Sequence, residues 1–415
     1  MKIRRPFISG YLDTLRNRWR ANVTPGGKWL IGTAFLSGLG AVSVTVPVYQ
    51  IFCAVAALLV VAEIAGFLWR PKVTVSGELP KRTSVSQPVT GELTVTNRSR
   101  WPIYDFSLAF FELPDALQEL DRERMVPVLR SGESISISIT LQSLRRGLYE
   151  LPGIRPYTTF PFNVCRSGWS RVPVGSLLVL PSFHRLSNID ISLGTRYQPG
   201  GIVLTSHVGE SPEYIGNREY VPGEPARRLD FRSWARLGRP VVREYHEEYY
   251  CRIALVLDTF VPPEIKAGTA GFPNLEAAVS LAASIADALS GGEHLIDIFA
   301  AGPELYVFRA GRHTAHLENV LEILACVGAC RRSPFDTIAP TIADELGNIS
   351  TTICVFLDWD QPRRQLARTA LEAGCRLKVL IVRDGPTTMP VDSHEISDIS
   401  QYSIASIRDG SMEVL

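Results

Sequence analysis

Residues 29–69 form an apolar run broken by one charge, Glu63. At about 1.5 Å rise per residue the run is too long for one bilayer crossing and suits two helices of about 20 residues. Pro47 and the Tyr49-Gln50 pair mark the turn, which predicts helices near 29–46 and 48–69. From Arg70 to Pro181 the period changes to two. Short alternating runs at 73–76, 91–97, 103–111, 134–141, 147–151 and 177–180 are separated by Pro, Gly and Asn. That pattern predicts an antiparallel β-sandwich, immunoglobulin-like in outline. Residues 186–212 read as a connector. Beyond Cys251, apolar strands alternate with amphipathic helices. The strands are expected at 252–258, 294–300, 305–308, 351–358 and 376–382, and the helices at 275–289, 315–327, 338–346 and 363–373. Such alternation predicts a mostly parallel, doubly wound α/β sheet, with 402–407 at an edge.

The resulting domain plan is a basic amino terminus at 1–28, a transmembrane hairpin at 29–69 and a sandwich at 70–182. A connector with an arginine-rich element spans 183–250, then an α/β domain 251–415. Lys and Arg flank both ends of the apolar run: Lys2, Arg4, Arg5 and Lys28 before it, Arg70 and Lys72 after it. The positive-inside rule then puts both termini and the soluble domains in the cytoplasm. Glu63, within about two turns of the cytoplasmic end, is expected to snorkel toward the headgroups. Small residues at Ala34/Gly38 and Ala62/Gly66 would permit close helix approach. A net charge of +1 argues against nucleic acid as a partner. The seven cysteines show no metal-binding spacing and read as buried reduced thiols.

The most information-rich stretch is 216–248. It contains Arg218, Arg227, Arg228, Arg232, Arg236, Arg239 and Arg243 without a lysine, set against Glu219, Glu224, Asp230, Glu244, Glu247 and Glu248. Arginine alone supplies planar, bidentate donors for carboxylates and carbonyls. The expected element is a turn leading to a short helix, with Pro225 in its first turn and Gly238 beyond its end, then a strand at 241–245. On that helix Arg228, Arg232 and Arg236 share a face, while Leu229, Trp234 and Leu237 are apolar anchors. Ion pairs among Arg218, Glu219, Tyr220, Arg227, Arg228, Asp230, Arg232, Trp234, Arg236, Arg243 and Glu244 are expected to tie the element together as a structural or recognition unit.

The run Arg-Glu-Tyr-Val-Pro-Gly-Glu-Pro-Ala-Arg-Arg-Leu-Asp-Phe-Arg-Ser-Trp-Ala-Arg at 218–236, followed by Val-Val-Arg-Glu-Tyr-His-Glu-Glu, resembles the signature of a bacterial family catalogued as domain of unknown function 58. The resemblance implies a membrane-anchored chain with a von Willebrand factor A-like domain and a MoxR-type AAA+ ATPase as neighbour and partner. In von Willebrand A domains an Asp-x-Ser-x-Ser loop, a threonine and a second aspartate hold magnesium. Here Asp258 and Asp358 end two strands, with Asp360 or Asp336 nearby. Phe260 and Pro262 stand where the two serines belong, and Phe335 where the threonine belongs. Without those hydroxyls the octahedral oxygen shell that magnesium needs is incomplete. No bound metal is expected; Asp258 is expected to cap a helix or to pair with an arginine of the 216–248 element.

Three functions remain open from the residues. The first is a membrane-tethered, non-catalytic scaffold that binds protein partners, which the resemblance implies act in envelope maturation or stress response. The second is a degenerate metal-dependent adhesion module built on Asp258 and Asp358. The third is a hydrolase using Glu219, Asp230 and Glu244 with arginines as anion clamps.

Overall fold

The computed structural model describes residues 22–40, 47–121, 124–168, 170–187, 189, 214–222, 229–245, 251–290, 294–301, 305–309, 317–335, 346, 349–391 and 396–412. Of the helix expected at 338–346 only residue 346 is described, and of the basic amino terminus only residues 22–28. The chain divides into two compact units, one built on the residues up to Ser182 and the other on most of the residues beyond it.

Two apolar helices open the first unit, α1 (Pro25–Gly40) and α2 (Pro47–Leu68). Thr24 caps α1, its hydroxyl accepting from the Gly27 amide at 3.0 Å, with Pro25 at the first helical position, where a missing N–H costs nothing. This cap starts the helix four residues before the apolar run begins. The two helices pack through small residues: a Cβ on Gly38 would lie 3.3 Å from the Phe52 ring. The expectation of two spans is met in part. Residues 48–68 of α2 are long and apolar enough to cross a membrane, whereas the 16 described residues of α1 reach about 24 Å.

The sandwich contains β1 (Val73–Ser76), β2 (Arg82–Ser84), β3 (Pro88–Asn97), β4 (Ile103–Ala109), β5 (Leu117–Glu119), β6 (Val126–Leu129), β7 (Ser134–Ser143), β8 (Gly147–Glu150), β9 (Arg155–Thr158) and β10 (Ser176–Leu180). Its sheets run β1-β3-β7-β5, β6-β4-β9 and β2-β10-β8. Alternation along β3 and β7 sends Leu93, Val95, Ile137 and Ile139 inward to meet Phe106, Leu129 and Val179. One pairing departs from the antiparallel expectation: β2 runs parallel to β10.

The second unit holds a two-stranded ribbon, β11 (Tyr214–Glu219) with β12 (Val241–Tyr245), and between them the short helix α3 (Phe231–Leu237). Its main sheet is formed by β13 (Cys251–Asp258), β14 (His294–Ala301), β15 (Leu305–Arg309), β16 (Thr351–Phe356), β17 (Arg376–Val382) and β18 (Ile399–Tyr402). The order is β15-β14-β13-β16-β17-β18, parallel except for β15 at one edge. The edge strand expected at 402–407 lies earlier, since Ser403 caps a helical turn at Ile404–Arg408. Helices α4 (Pro273–Ser290) and α6 (Gln361–Glu372) belong to this fold, whereas residues 321–326 of α5 (Leu317–Cys326) fall in the first unit. Every residue of β16 is buried, as a strand covered on both faces requires. Connections leave β13 toward β14 on one side and reach β16 on the other, so the strand order reverses between β13 and β16. Open α/β sheets bind ligands at that crevice.

Candidate binding sites: the ribbon helix and the carboxyl edge of the sheet

Asp230 organises the ribbon. Its backbone amide donates to Val241 O at 2.9 Å, which fixes it beside β12. From there its side chain caps α3, accepting from the amides of Arg232 at 3.2 Å and Ser233 at 3.3 Å. The Ser233 hydroxyl donates to the same carboxylate at 2.8 Å, Arg243 Nη2 at 3.2 Å and Asn217 Nδ2 at 3.4 Å. Arg243 and then Ser233 hold the Asp230 carboxyl well below the ordinary carboxylate range. Asn217 and Arg243 face each other across the ribbon register, so one cross-strand pair grips one cap. Gly238, in the left-handed region at φ 69°, ends the helix as expected, its amide donating to Trp234 O.

The network is narrower than the sequence suggests. Helix α3 begins at Phe231, after the cap, and Leu229 precedes it; Pro225 lies outside the described residues. Arg227 and Arg228 lie outside the described residues, as does the Glu244 side chain. Arg232 and Arg236 are exposed and have no carboxylate partner among the described residues. Glu219 and Arg239 approach at 3.8 Å with both side chains in water, an arrangement worth little. Arg218 donates to the carbonyl of Glu219, and the Tyr220 amide donates to Pro240 O. Asp230 and Glu219 therefore each have their own arginine. Sequence reasoning missed Asn217 and Ser233. The Asp-x-x-Ser spacing at a helix start was the available signal.

No residue of α3 is buried. Phe231 is 64% exposed and stacks on Trp234 with ring centroids 6.0 Å apart, and Leu237 is 48% exposed. At about 100° per residue, Arg232 and Arg236 fall on the face of α3 opposite this strip.

At the carboxyl edge of the sheet Asp258 is fully buried, and its partner is Arg363 of α6 rather than an arginine of the ribbon. Arg363 Nε and Nη2 each reach Asp258 Oδ2 at 2.7 Å, and Nη1 binds Asp360, the α6 cap. The Leu357 amide donates to Asp258 Oδ2 at 2.9 Å across the β13–β16 crevice, and the Phe260 amide to Oδ1 at 2.8 Å. Burial pushes the Asp258 carboxyl above its ordinary range, and the Arg363 charge with these donors offsets only part of that rise. The guanidinium lies between two rings, 4.9 Å from the Phe335 centroid and 5.7 Å from that of Phe260. Phe260 and Phe335 thus pack against the cation. A legible signal existed: Arg363, Leu366, Ala367 and Ala370 share the buried stripe of α6, and an arginine in such a stripe needs a buried acid.

Asp358 is closed separately. It accepts from the Trp359 and Thr388 amides at 2.7 and 2.9 Å, from the Thr388 hydroxyl at 2.6 Å and from Arg383. Burial alone would raise this carboxyl; Thr388, Trp359 and Arg383 hold it below the ordinary range. Asp336 lies outside the described residues. Among the described residues no group of three or more acidic, His or Cys side chains is placed to hold a metal ion. The cysteines are not uniformly buried either: Cys330, Cys354 and Cys375 are, while Cys53 and Cys326 are exposed.

The family model "Protein of unknown function DUF58" matches residues 216–384. Among solved structures, a von Willebrand factor type A protein from Catenulispora acidiphila is 13% identical, over 42% of this chain and 43% of that one, with a TM-score of 0.26. The CARDB domain of PF1109 from Pyrococcus furiosus is 14% identical, over 26% of this chain and 95% of that one, with a TM-score of 0.18. No curated protein matches the chain.

Proposed function

Proceeding from the match of residues 216–384 to the DUF58 family, we propose that this chain is a membrane-anchored, non-catalytic interaction module. Its von Willebrand factor A-like domain receives a protein partner on α3. The observation that carries this reading is the exposed strip Phe231, Trp234 and Leu237 on a helix held rigid by Asp230 and Gly238. Exposed aromatic residues on a fixed surface are the composition of a binding hot spot. The partner would offer an apolar cleft, and the family resemblance points to a MoxR-type AAA+ ATPase. Hairpin α1–α2 is the anchor, with both ends on the cytoplasmic side.

A metal-dependent adhesion module is the weaker reading, because Asp258 already receives donors on both oxygens and a guanidinium neutralises it. The proposed module works without a divalent ion.

Detergent-solubilised full chain, co-expressed with a MoxR-type ATPase, provides the test. Co-purification that is lost on Trp234→Asp supports the reading. Absence of binding with ATP, ADP and no nucleotide would sink it.

A further inference from the structure

The loop at 159–168, between β9 and β10, is the part of the sandwich that meets the apolar helices. A Cβ on Gly66 would collide with Ser167 Oγ, so the Ala62/Gly66 small-residue face of α2 receives this loop. Trp69 and Phe160 meet edge to face at 6.1 Å, and Phe160 lies 5.1 Å from Tyr104. Glu63 hydrogen-bonds Cys165, and burial with that carboxylate pushes the thiol up to about 11. These contacts put the loop level with the last two turns of α2, within about 10 Å of its end.

The loop backbone is closed in the way that depth requires. Val164 O accepts from the Thr24 amide at 3.0 Å and hydroxyl at 2.9 Å, and the Arg166 amide donates to Asn22 O at 2.7 Å. The Asn163 amide donates to Thr159 O and the Ser167 amide to Thr158 O. Irregular backbone survives at membrane depth when protein satisfies it. Phe162 at the tip remains 46% exposed. Arg155 braces the base, reaching Asn22 Oδ1 at 2.8 Å and Arg166 O at 2.9 Å. Aromatic tips above a basic base match the headgroup layer of a bilayer.

We infer that the 159–168 loop is a foot seated in the lipid headgroup–glycerol layer, with Phe162 inserted among the lipids. This rests on the reading that α2 spans a membrane. The foot and the paired entry of α1 then make the sandwich one body with its anchor, so it does not swing on a tether.

The test uses the full chain in nanodiscs, with Cys53, Cys165 and Cys326 changed to Ser and single fluorophores at Ala57→Cys, Phe162→Cys or Gln87→Cys. Gln87 precedes β3 at the end opposite Asn97. Circular dichroism must match that of the unlabelled chain. Spin-labelled lipids carrying the quencher near the headgroup should quench position 162 by half or more and leave position 87 unchanged, while a mid-chain quencher should act on position 57. Quenching at 57 without quenching at 162 overturns the foot and leaves the anchor standing. No quenching at 57 overturns the anchor, and the foot with it.

Discussion

The carboxyl edge of the main sheet and the ribbon each hold an aspartate against an arginine, in opposite surroundings. Arg363 and Asp258 are 3% and 0% exposed and lie beneath two phenylalanines, whereas Arg243 is 50% exposed over Asp230 at 8%. At the sheet, losing one partner strands a charge where no water can reach it, so the pair governs folding. At the ribbon, water can replace the lost guanidinium, so what the pair governs is the position of α3. Depth decides whether the same chemistry acts as a keystone or as a mount.

Breaking the deep pair should give the largest effect. Arg363→Met is expected to cost about 3–5 kcal/mol in urea unfolding of the α/β domain, with much of it recovered by adding Asp258→Asn. A single variant as stable as wild type would erase the contrast between the two pairs. On the ribbon side, Trp234→Ala should leave that unfolding within about 0.5 kcal/mol and weaken partner binding about tenfold or more by titration. Asp230→Ala should speed amide exchange at Arg232 and Ser233 while β13 and β16 stay protected. Acid sharpens the contrast next. Asp230 and Asp358 have folded pKa values below their unfolded ones, so their stabilisation is complete above the ordinary carboxylate pKa of about 4 and fades as pH falls below it. The double variant Asp230→Asn, Asp358→Asn should flatten the urea midpoint between about pH 4 and 2. The smallest effect belongs to Arg232→Gln with Arg236→Gln: no measurable change in stability, and a weaker salt dependence of binding.

Periodicity alone located most elements, because burial forces it: β13, β14, β16, β17, α4 and α6 fall where their apolar spacing requires. Strands β2, β5, β6 and β9 are three or four residues long, and none was marked by an alternating run of the kind that showed β1 and β8. Strand β11 was missed because Tyr-Ile-Gly-Asn-Arg-Glu has no alternation; its partner β12 supplies its order. The ribbon was legible as an arginine-rich unit, and Gly238 as its stop. Which carboxylate would anchor it was not, since composition counts charges without saying which of them reach each other. Asp258 was legible as a strand end, but its partner, 105 residues further along, was not.

Helix α3 contributes no side chain to any core. Its shape is set from outside by a cap, a stop and a cross-strand grip, so the identity of its outward residues is uncoupled from folding. Rewriting Phe231, Trp234 or Leu237 changes what the surface says without changing whether the chain folds. A segment arranged in this way can acquire a new recipient by substitution alone, with the scaffold left untouched.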